Sequence, residues 1–214
     1  MAEKNNKFSR EHSSLRRKLD AFGNIFGINI CFVIGCLPVF TAGASLAAAY
    51  SVAIRLQEDK EETVVSGFIH EFKRNFKQAT LAFLLVAAVA AVLIAEVLVV
   101  NTCTGFIQIL YTIVFYAELL LVSLVLAFLF PLIACYENTL LNMIRNAFLL
   151  SVGYVGSWLK ITVAWVAPIA FSIIYPMIFL QTWYLWLLII FGAIIYGTSF
   201  TVRHVFKMND EASV

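Results

Sequence analysis

The chain carries little charge for its length. Asp, Glu, Lys and Arg make up 13% of its 214 residues, whereas about a quarter is usual for a soluble domain. Hydrophobic residues make up 62%, and 19 residues are phenylalanine. This composition excludes an ordinary soluble globular protein and indicates that lipid is the main solvent. The length suits one bundle of several helices, so residues 1–214 are predicted to form a single integral membrane domain.

The sequence also lacks the patterns that usually mark an enzyme or a metalloprotein. His12, His70 and His204 stand in separate segments, and the four cysteines have no metal-type spacing. No G-x-S-x-G, Walker A, H-E-x-x-H or dinucleotide fingerprint occurs. We therefore predict no enzymatic activity, no metal and no cofactor. The basic stretch 10–18 is explained as a topology signal and lipid anchor, so nucleic-acid binding is not predicted.

Long apolar runs are present instead. A helix needs roughly 20 residues to cross a bilayer, and each of the last four runs is long enough for one crossing. The first run is too long for one crossing, and it contains Pro38, which disfavours helix at the preceding residue. The five runs are Leu19–Ile54, Ala79–Val100, Phe106–Cys135, Ile161–Leu180 and Trp183–Val202.

The distribution of lysine and arginine predicts the topology. Of the 15, six lie in residues 1–18 and five in residues 55–78. Of the other four, Arg145 and Lys160 precede the apolar run that begins at Ile161, and Arg203 and Lys207 lie in residues 203–214. Because positive charge marks the cytoplasmic side, both terminal tails and the loop 55–78 are predicted to be cytoplasmic. The first apolar run must then cross twice or re-enter.

A break at Pro38 would supply this return. Thr41 is predicted to cap the following helix through its hydroxyl, and small residues would let the two arms pack closely. A packed hairpin gives an all-α polytopic bundle of about six transmembrane helices, and a shallow re-entrant loop is the alternative. Free amides at the break could bind an anion, although a plain turn explains the sequence. The candidate broken-helix site consists of Pro38, Thr41, Gly43 and Ser45.

Two segments on the predicted cytoplasmic side have a helical pattern. Residues 63–79 place phenylalanines on one face and cations on the rest. This pattern predicts an amphipathic helix that lies among lipid headgroups or covers the end of the bundle. Residues 137–146 place asparagines four apart, a spacing that more often satisfies neighbouring backbone groups than a ligand. The candidate polar stripe consists of Glu137, Asn138, Asn142 and Asn146.

Two acidic residues lie well inside predicted spans. Ionisable groups there are costly and often mark proton or substrate paths. Glu118 lies about three helical turns into its span, and Glu96 lies near the outer end of another. This count places the two at different depths, so no catalytic carboxylate pair is predicted. Glu118 is the better candidate for an intramembrane polar site, whether functional or structural.

Three blocks of sequence carry a family resemblance. They are G23-N-I-F-G-I-N-I-C-F-V-I-G-C-L-P-V-F-T-A-G-A-S45, F72-K-R-N-F-K-Q-A79 and F130-P-L-I-A-C-Y-E-N138. In this order they resemble the YesL-like family of bacterial membrane proteins, which has no established function and no established catalytic residues. Its members are typical of Gram-positive bacteria, and their genes often lie beside genes for sugar uptake or glycan degradation. The resemblance therefore implies a plasma-membrane protein that serves carbohydrate import.

Two function classes remain open. An accessory or regulatory partner of a carbohydrate-uptake system predicts a packed interior and a docking face. A small transporter or channel, using the break at Pro38 and Glu118, predicts a solvated cavity that reaches Glu118. The lipid bilayer is the partner that the residues themselves predict. A sugar-transport complex follows only from the resemblance, and the oligomeric state is left open.

Overall fold

The computed structural model describes the backbone of residues 2–58, 63–100, 102 and 104–212, and the side chains of these residues from Leu19 to Glu211. All regular structure in these ranges is helical, which confirms the all-α class. A 3-10 turn, Val39–Thr41, precedes the second helix, and a π-helical turn, Trp186–Ile190, precedes the last. The α-helices are α1 Ala2–Gly35, α2 Ala42–Leu56, α3 Val64–Val100, α4 Phe106–Cys135, α5 Leu140–Gly153, α6 Val155–Ile174, α7 Pro176–Leu185 and α8 Phe191–Ala212.

Several of these helices have the dimensions of membrane spans. Within the described ranges, five helical stretches are long and apolar enough to cross a bilayer. The apolar part of α1, Leu19–Gly35, is a shorter helix, and α5 is shorter still. The predicted polytopic helical bundle is therefore confirmed, with five stretches of spanning length beside the shorter apolar part of α1. The five stretches are Val39–Leu56, Val64–Val100, Phe106–Cys135, Val155–Ile174 and Pro176–Glu211.

Four helix ends meet at one end of the bundle. Arg55 at the end of α2 forms an ion pair with Glu71 near the start of α3. Arg74 donates a hydrogen bond to a carbonyl oxygen near the end of α4. Tyr136, which follows α4, donates to Asp210 near the end of α8. We call the region defined by Arg55, Glu71, Arg74, Tyr136 and Asp210 the polar end.

The core fills the part of the bundle next to the polar end, and α2 runs through its centre. Most of α2 is buried, because its alanines and glycine let neighbouring helices approach closely. At Gly43, an added Cβ would lie 2.7 Å from the Cβ of Phe83 and against the carbonyl oxygen of Ala79. Any larger residue would push α2 away from α3. The remote halves of α3 and α4 expose apolar side chains, as helices in lipid do.

The chain reverses at Pro38, but Thr41 does not cap α2. Ser45 on α2 donates back to the carbonyl oxygen of Phe32 on α1, at 2.8 Å. The Thr41 hydroxyl donates to the carbonyl oxygens of Gly35 and Pro38, each 2.6 Å away. Thr41 already has helical backbone angles, φ −89° and ψ 0°, whereas a capping residue is usually extended. Its hydroxyl therefore satisfies carbonyls at the end of α1 instead.

The segment 55–78, predicted as a cytoplasmic loop with an amphipathic helix, is mostly helical. α2 continues to Leu56, and α3 begins at Val64 and runs without interruption to Val100. Residues 59–62 lie outside the described residues. The phenylalanine face packs on the core: Phe68 is 6% exposed, and Phe72 and Phe76 contact buried residues. This packing supports the helix as a cover over the end of the bundle, and its position among lipid headgroups stays a prediction.

The helix boundaries in the last third of the chain differ from the predicted joint. The predicted joint at residues 181–182 lies inside α7, and the chain breaks at Tyr175 instead. The reason is Pro176, which lacks an N–H and is the first residue of α7, a position that tolerates proline. The predicted tail 203–214 belongs to α8 as far as Ala212. In the other predicted tail, residues 2–18 form the first part of α1, and their side chains lie outside the described residues.

A buried asparagine holds α1 against the π-helical turn. Asn29 is fully buried, and its Nδ2 donates to the carbonyl oxygens of Trp186 and Leu187, at 3.3 and 2.6 Å. The backbone N–H of Gly192 donates to its Oδ1 at 2.8 Å. A π turn interrupts the regular helical hydrogen bonds, and the carboxamide satisfies the groups that this interruption frees. Asn29 thus fixes α1 to the last helix.

Candidate functional site

The polar end contains a fully buried carboxylate. The side chain of Glu71 is 0% exposed. Its Oε1 lies 3.3 Å from Nη2 of Arg55, and its Oε2 lies 2.6 Å from Nη2 of Arg74. Asn75 donates to the same carboxylate at 3.4 Å. A buried charge is stable only when it is paired and hydrogen-bonded. This cluster therefore joins α2 to α3, and removal of one of its partners would strongly destabilise the fold.

Side chains of the polar end also bind the other helices together. Arg74 Nη2 donates to the carbonyl oxygen of Ala134 at 2.9 Å, which joins α3 to α4. Gln78 donates to the carbonyl oxygen of Asn138 at 2.7 Å. Arg203 on α8 donates to the carbonyl oxygen of Gln57 at 2.8 Å. The chain segments 55–58, 71–78, 134–138 and 203–210 are therefore held as one unit.

Tyr136 anchors the last turns of α8. Its hydroxyl donates to the two carboxylate oxygens of Asp210, at 3.2 and 3.1 Å, and its ring meets the ring of Phe206 edge-on at 5.2 Å. Burial raises the pKa of Tyr136, and the neighbouring Asp210 carboxylate raises it further. The phenol is therefore protonated at neutral pH and can donate to Asp210.

Three cavities surround Tyr136. One, of about 420 Å³, lies between the α4–α5 connection, α5 and α8. A second, of about 710 Å³, contains the ion pairs Arg203–Glu58 and Lys207–Glu211, at 3.8 and 3.9 Å. A third, of about 260 Å³, lies between α3 and the α4–α5 connection. Among the residues whose side chains are described, no group of three or more His, Cys, Asp or Glu is arranged to hold a metal ion.

The candidate polar stripe divides into two parts. The Asn138 Oδ1 accepts from the N–H of Thr139 at 2.8 Å and from Asn142 Nδ2 at 2.9 Å, so these two asparagines stabilise the start of α5. Glu137 and Asn146 instead line the 420 Å³ cavity, although Asn138 also reaches its wall. We call it the asparagine cavity, because Asn138, Asn146 and Asn209 line it, together with Glu137 and Tyr154.

None of the five residues that define the polar end was predicted as a site residue, and neither was Asn209. Glu71 was placed on the polar face of an amphipathic helix, where it is the one acid among His70, Lys73, Arg74 and Lys77. A single acidic side chain among these basic residues was the available signal for a buried ion pair. Asn209 was assigned to a tail, and nothing in the local sequence indicates that it joins residues of α5.

Glu96 and Glu118 are brought together, contrary to the prediction that they lie at different depths. Their side chains are close enough across α3 and α4 to interact electrostatically, and both are half-buried. The count from the helix ends failed because α4 begins beyond the end of α3, so about three turns of α4 match about one turn of α3.

The four residues of the broken-helix site have structural roles. The Thr41 hydroxyl and the Ser45 hydroxyl both donate to backbone carbonyls of the reversal. Gly43 permits the close approach of α2 and α3, and Pro38 ends the first arm. The reversal is thus explained by packing and hydrogen bonding within the chain.

Part of the chain matches a protein family. Residues 25–97, less than half of the chain, match the model of the family described as a protein of unknown function, DUF624. The YesL-like family is known under the same designation. The Arg55–Glu71–Arg74 cluster lies within the matched segment, whereas Tyr136 and the asparagine cavity lie outside it. No curated protein and no solved structure matches the chain.

Proposed function

We propose that this protein is a non-enzymatic accessory or regulatory partner of a carbohydrate-uptake system and that its polar end is the docking face. The observation that carries the proposal is the concentration of charged side chains and cavities at the polar end. Beneath it lies a core of closely packed alanines and aromatic rings. The choice of carbohydrate uptake rests on the resemblance to the YesL-like family.

The proposal places the polar end and both termini on the cytoplasmic side of the plasma membrane. Its support is the positive-inside rule, because the described end of α8 and the basic start of α3 meet there. The test is a single cysteine at Val39, which is 74% exposed, in a variant without native cysteines. We expect a membrane-impermeant maleimide to label it in intact cells, and to label a cysteine at Lys73 only after permeabilisation. The reverse pattern would refute this orientation.

The accessory role is tested by labelled-sugar uptake in a deletion strain. We expect uptake of at least one sugar to fall and to recover with the wild-type chain and with Glu118→Gln. Recovery should be poor with Asn146→Trp, which fills the asparagine cavity from its exposed rim. Immunoblots of membranes control for abundance. If the deletion changes the uptake of no sugar tested, the carbohydrate role fails.

A small transporter is the second candidate, and the proximity of the Glu96 and Glu118 carboxyl groups favours it. Paired carboxyl groups inside a membrane are typical of proton and cation paths. This candidate expects purified protein in liposomes to move a labelled sugar without another protein, and expects Glu118→Gln to abolish that movement. Liposomes that show no uptake above protein-free controls, together with Glu118→Gln complementation in cells, would exclude transport by this chain.

A further inference from the structure

We propose that the asparagine cavity binds an uncharged, hydroxyl-rich molecule of the size of one or two sugar rings. The cavity has a volume of about 420 Å³, within the range of about 300–1,000 Å³ that is usual for small-molecule sites. This inference deepens the proposed function and rests on it for its biological meaning, since it names the ligand class that the docking face would sense. The binding itself is measured independently of any partner.

Four side chains in the wall are free to bind a ligand. Glu137, Asn146, Tyr154 and Asn209 line the cavity, and none of the four has a hydrogen bond to another residue that the structure describes. Each carboxamide offers donors and an acceptor, the phenol offers one of each, and the carboxylate accepts. Hydroxyl groups both donate and accept, so a ligand with several hydroxyls can satisfy all four side chains.

The floor of the cavity is apolar. Leu132, Met143 and Leu150 are buried side chains of α4 and α5, and the ring of Phe206 closes the side toward α8. A sugar ring has a C–H face that can be buried on such a floor while its hydroxyls meet the polar wall. A few convergent polar groups over an apolar floor are the usual arrangement of a small-molecule site.

The charges in the wall decide between ligand classes. Among the described residues, no lysine or arginine lines the cavity, and Glu137 is the one ionic group in its wall. A phosphorylated sugar or a nucleotide would face this carboxylate without a cation to offset the repulsion. An organic cation could pair with Glu137, but it would gain no hydrogen bonds from the exposed carboxamides of Asn146 and Asn209. The uncharged polyhydroxyl ligand is the class that uses the whole wall.

The experiment is equilibrium dialysis of the purified full-length protein in detergent with radiolabelled glucose, galactose, mannose, rhamnose, N-acetylglucosamine and maltose. Glucose 6-phosphate and tetramethylammonium are the charged comparison probes. We expect saturable binding of at least one uncharged sugar, weakened about tenfold or more by Asn146→Leu and by Asn209→Leu. Losing one hydrogen bond and leaving its partner unsatisfied has an effect of this order.

The control is Arg145→Leu, which removes an exposed polar side chain from the same helix outside the cavity. It should leave the affinity within about twofold, and the thermal melting of every variant is recorded to detect misfolding. The proposal is overturned if no uncharged sugar binds saturably, if either charged probe binds more tightly, or if Arg145→Leu weakens binding as much as Asn146→Leu. Sugar binding without any uptake defect in the deletion strain would refute the accessory role and leave the binding site standing.

Discussion

Replacement of Glu71 by glutamine should strongly destabilise the bundle. The buried carboxylate contacts Arg55 and Arg74 at 3.3 and 2.6 Å. Glutamine has nearly the same shape, so it leaves no cavity, but it removes the negative charge that separates the two guanidinium groups. The two cations then face each other across an uncharged amide, and the bond between α2 and α3 is lost.

The size of the effect follows from the exposure of the two arginines. Removing one partner of a buried ion pair usually costs about 3–5 kcal/mol. Because Arg55 and Arg74 are 29% and 38% exposed, water partly solvates the unpaired charges, and the cost should lie near the lower limit, about 3 kcal/mol. For a chain of this length, about 3 kcal/mol corresponds to a fall in Tm of roughly 6–12 °C.

The assay is thermal unfolding of the full-length protein in detergent, followed by the loss of monodisperse protein on size-exclusion chromatography. Glu211→Gln is the matched control. Its carboxylate is 68% exposed and lies 3.9 Å from Lys207 Nζ, and such surface pairs contribute about 0–1 kcal/mol. If both variants melt within about 2 °C of each other, Glu71 is not the buried ion-pair centre described above.

Two further variants test other contacts by the same melting assay. Gly192→Ala should lower the free energy of unfolding by about 1–3 kcal/mol, because its Cβ would meet the carbonyl oxygen of Ile25. Nothing lies within 4 Å of a Cβ at Gly197, so the control Gly197→Ala should be neutral or stabilising. Equal losses of stability in the two variants would contradict this packing. Burial raises the pKa of the Tyr136 phenol above its value of about 10 in the unfolded chain. The stabilisation that the protonated phenol provides is therefore complete below about pH 10 and is lost as the pH rises further. The difference in Tm between wild type and Tyr136→Phe should therefore narrow above about pH 10, and a constant difference from about pH 8 to 11 would argue against a buried phenol.

Predictions made from hydropathy agreed well with the structure. The apolar runs 79–100 and 106–135 lie in α3 and α4, because bilayer thickness imposes a length on any spanning helix. The reversal at Pro38 was also predicted, since proline disrupts a helix through local covalent geometry. The joint between the last two runs was misplaced, because residues 181–182 are polar but Pro176 is the stronger local determinant of a helix start.

Predictions about polar side chains failed where they assumed that neighbours in sequence decide burial. Glu71 was assigned to the polar face of an amphipathic helix, and it is buried because Arg55 of another helix supplies a partner. Glu96 and Glu118 were expected at different depths, and they meet because α3 and α4 are offset along their axes. Neither the offset nor the partner is encoded in helical periodicity.

The amino-acid sequence by itself determined the helical class, the membrane environment, most of the spans and the reversal at Pro38, since these depend on hydropathy and local backbone chemistry. Only the tertiary structure decided which polar groups converge. Glu137 and Asn146 line one cavity with Asn209, and Tyr136 holds that part of α8 in place through Asp210. These contacts join residues far apart in the chain, so they depend on the packing and offset of whole helices.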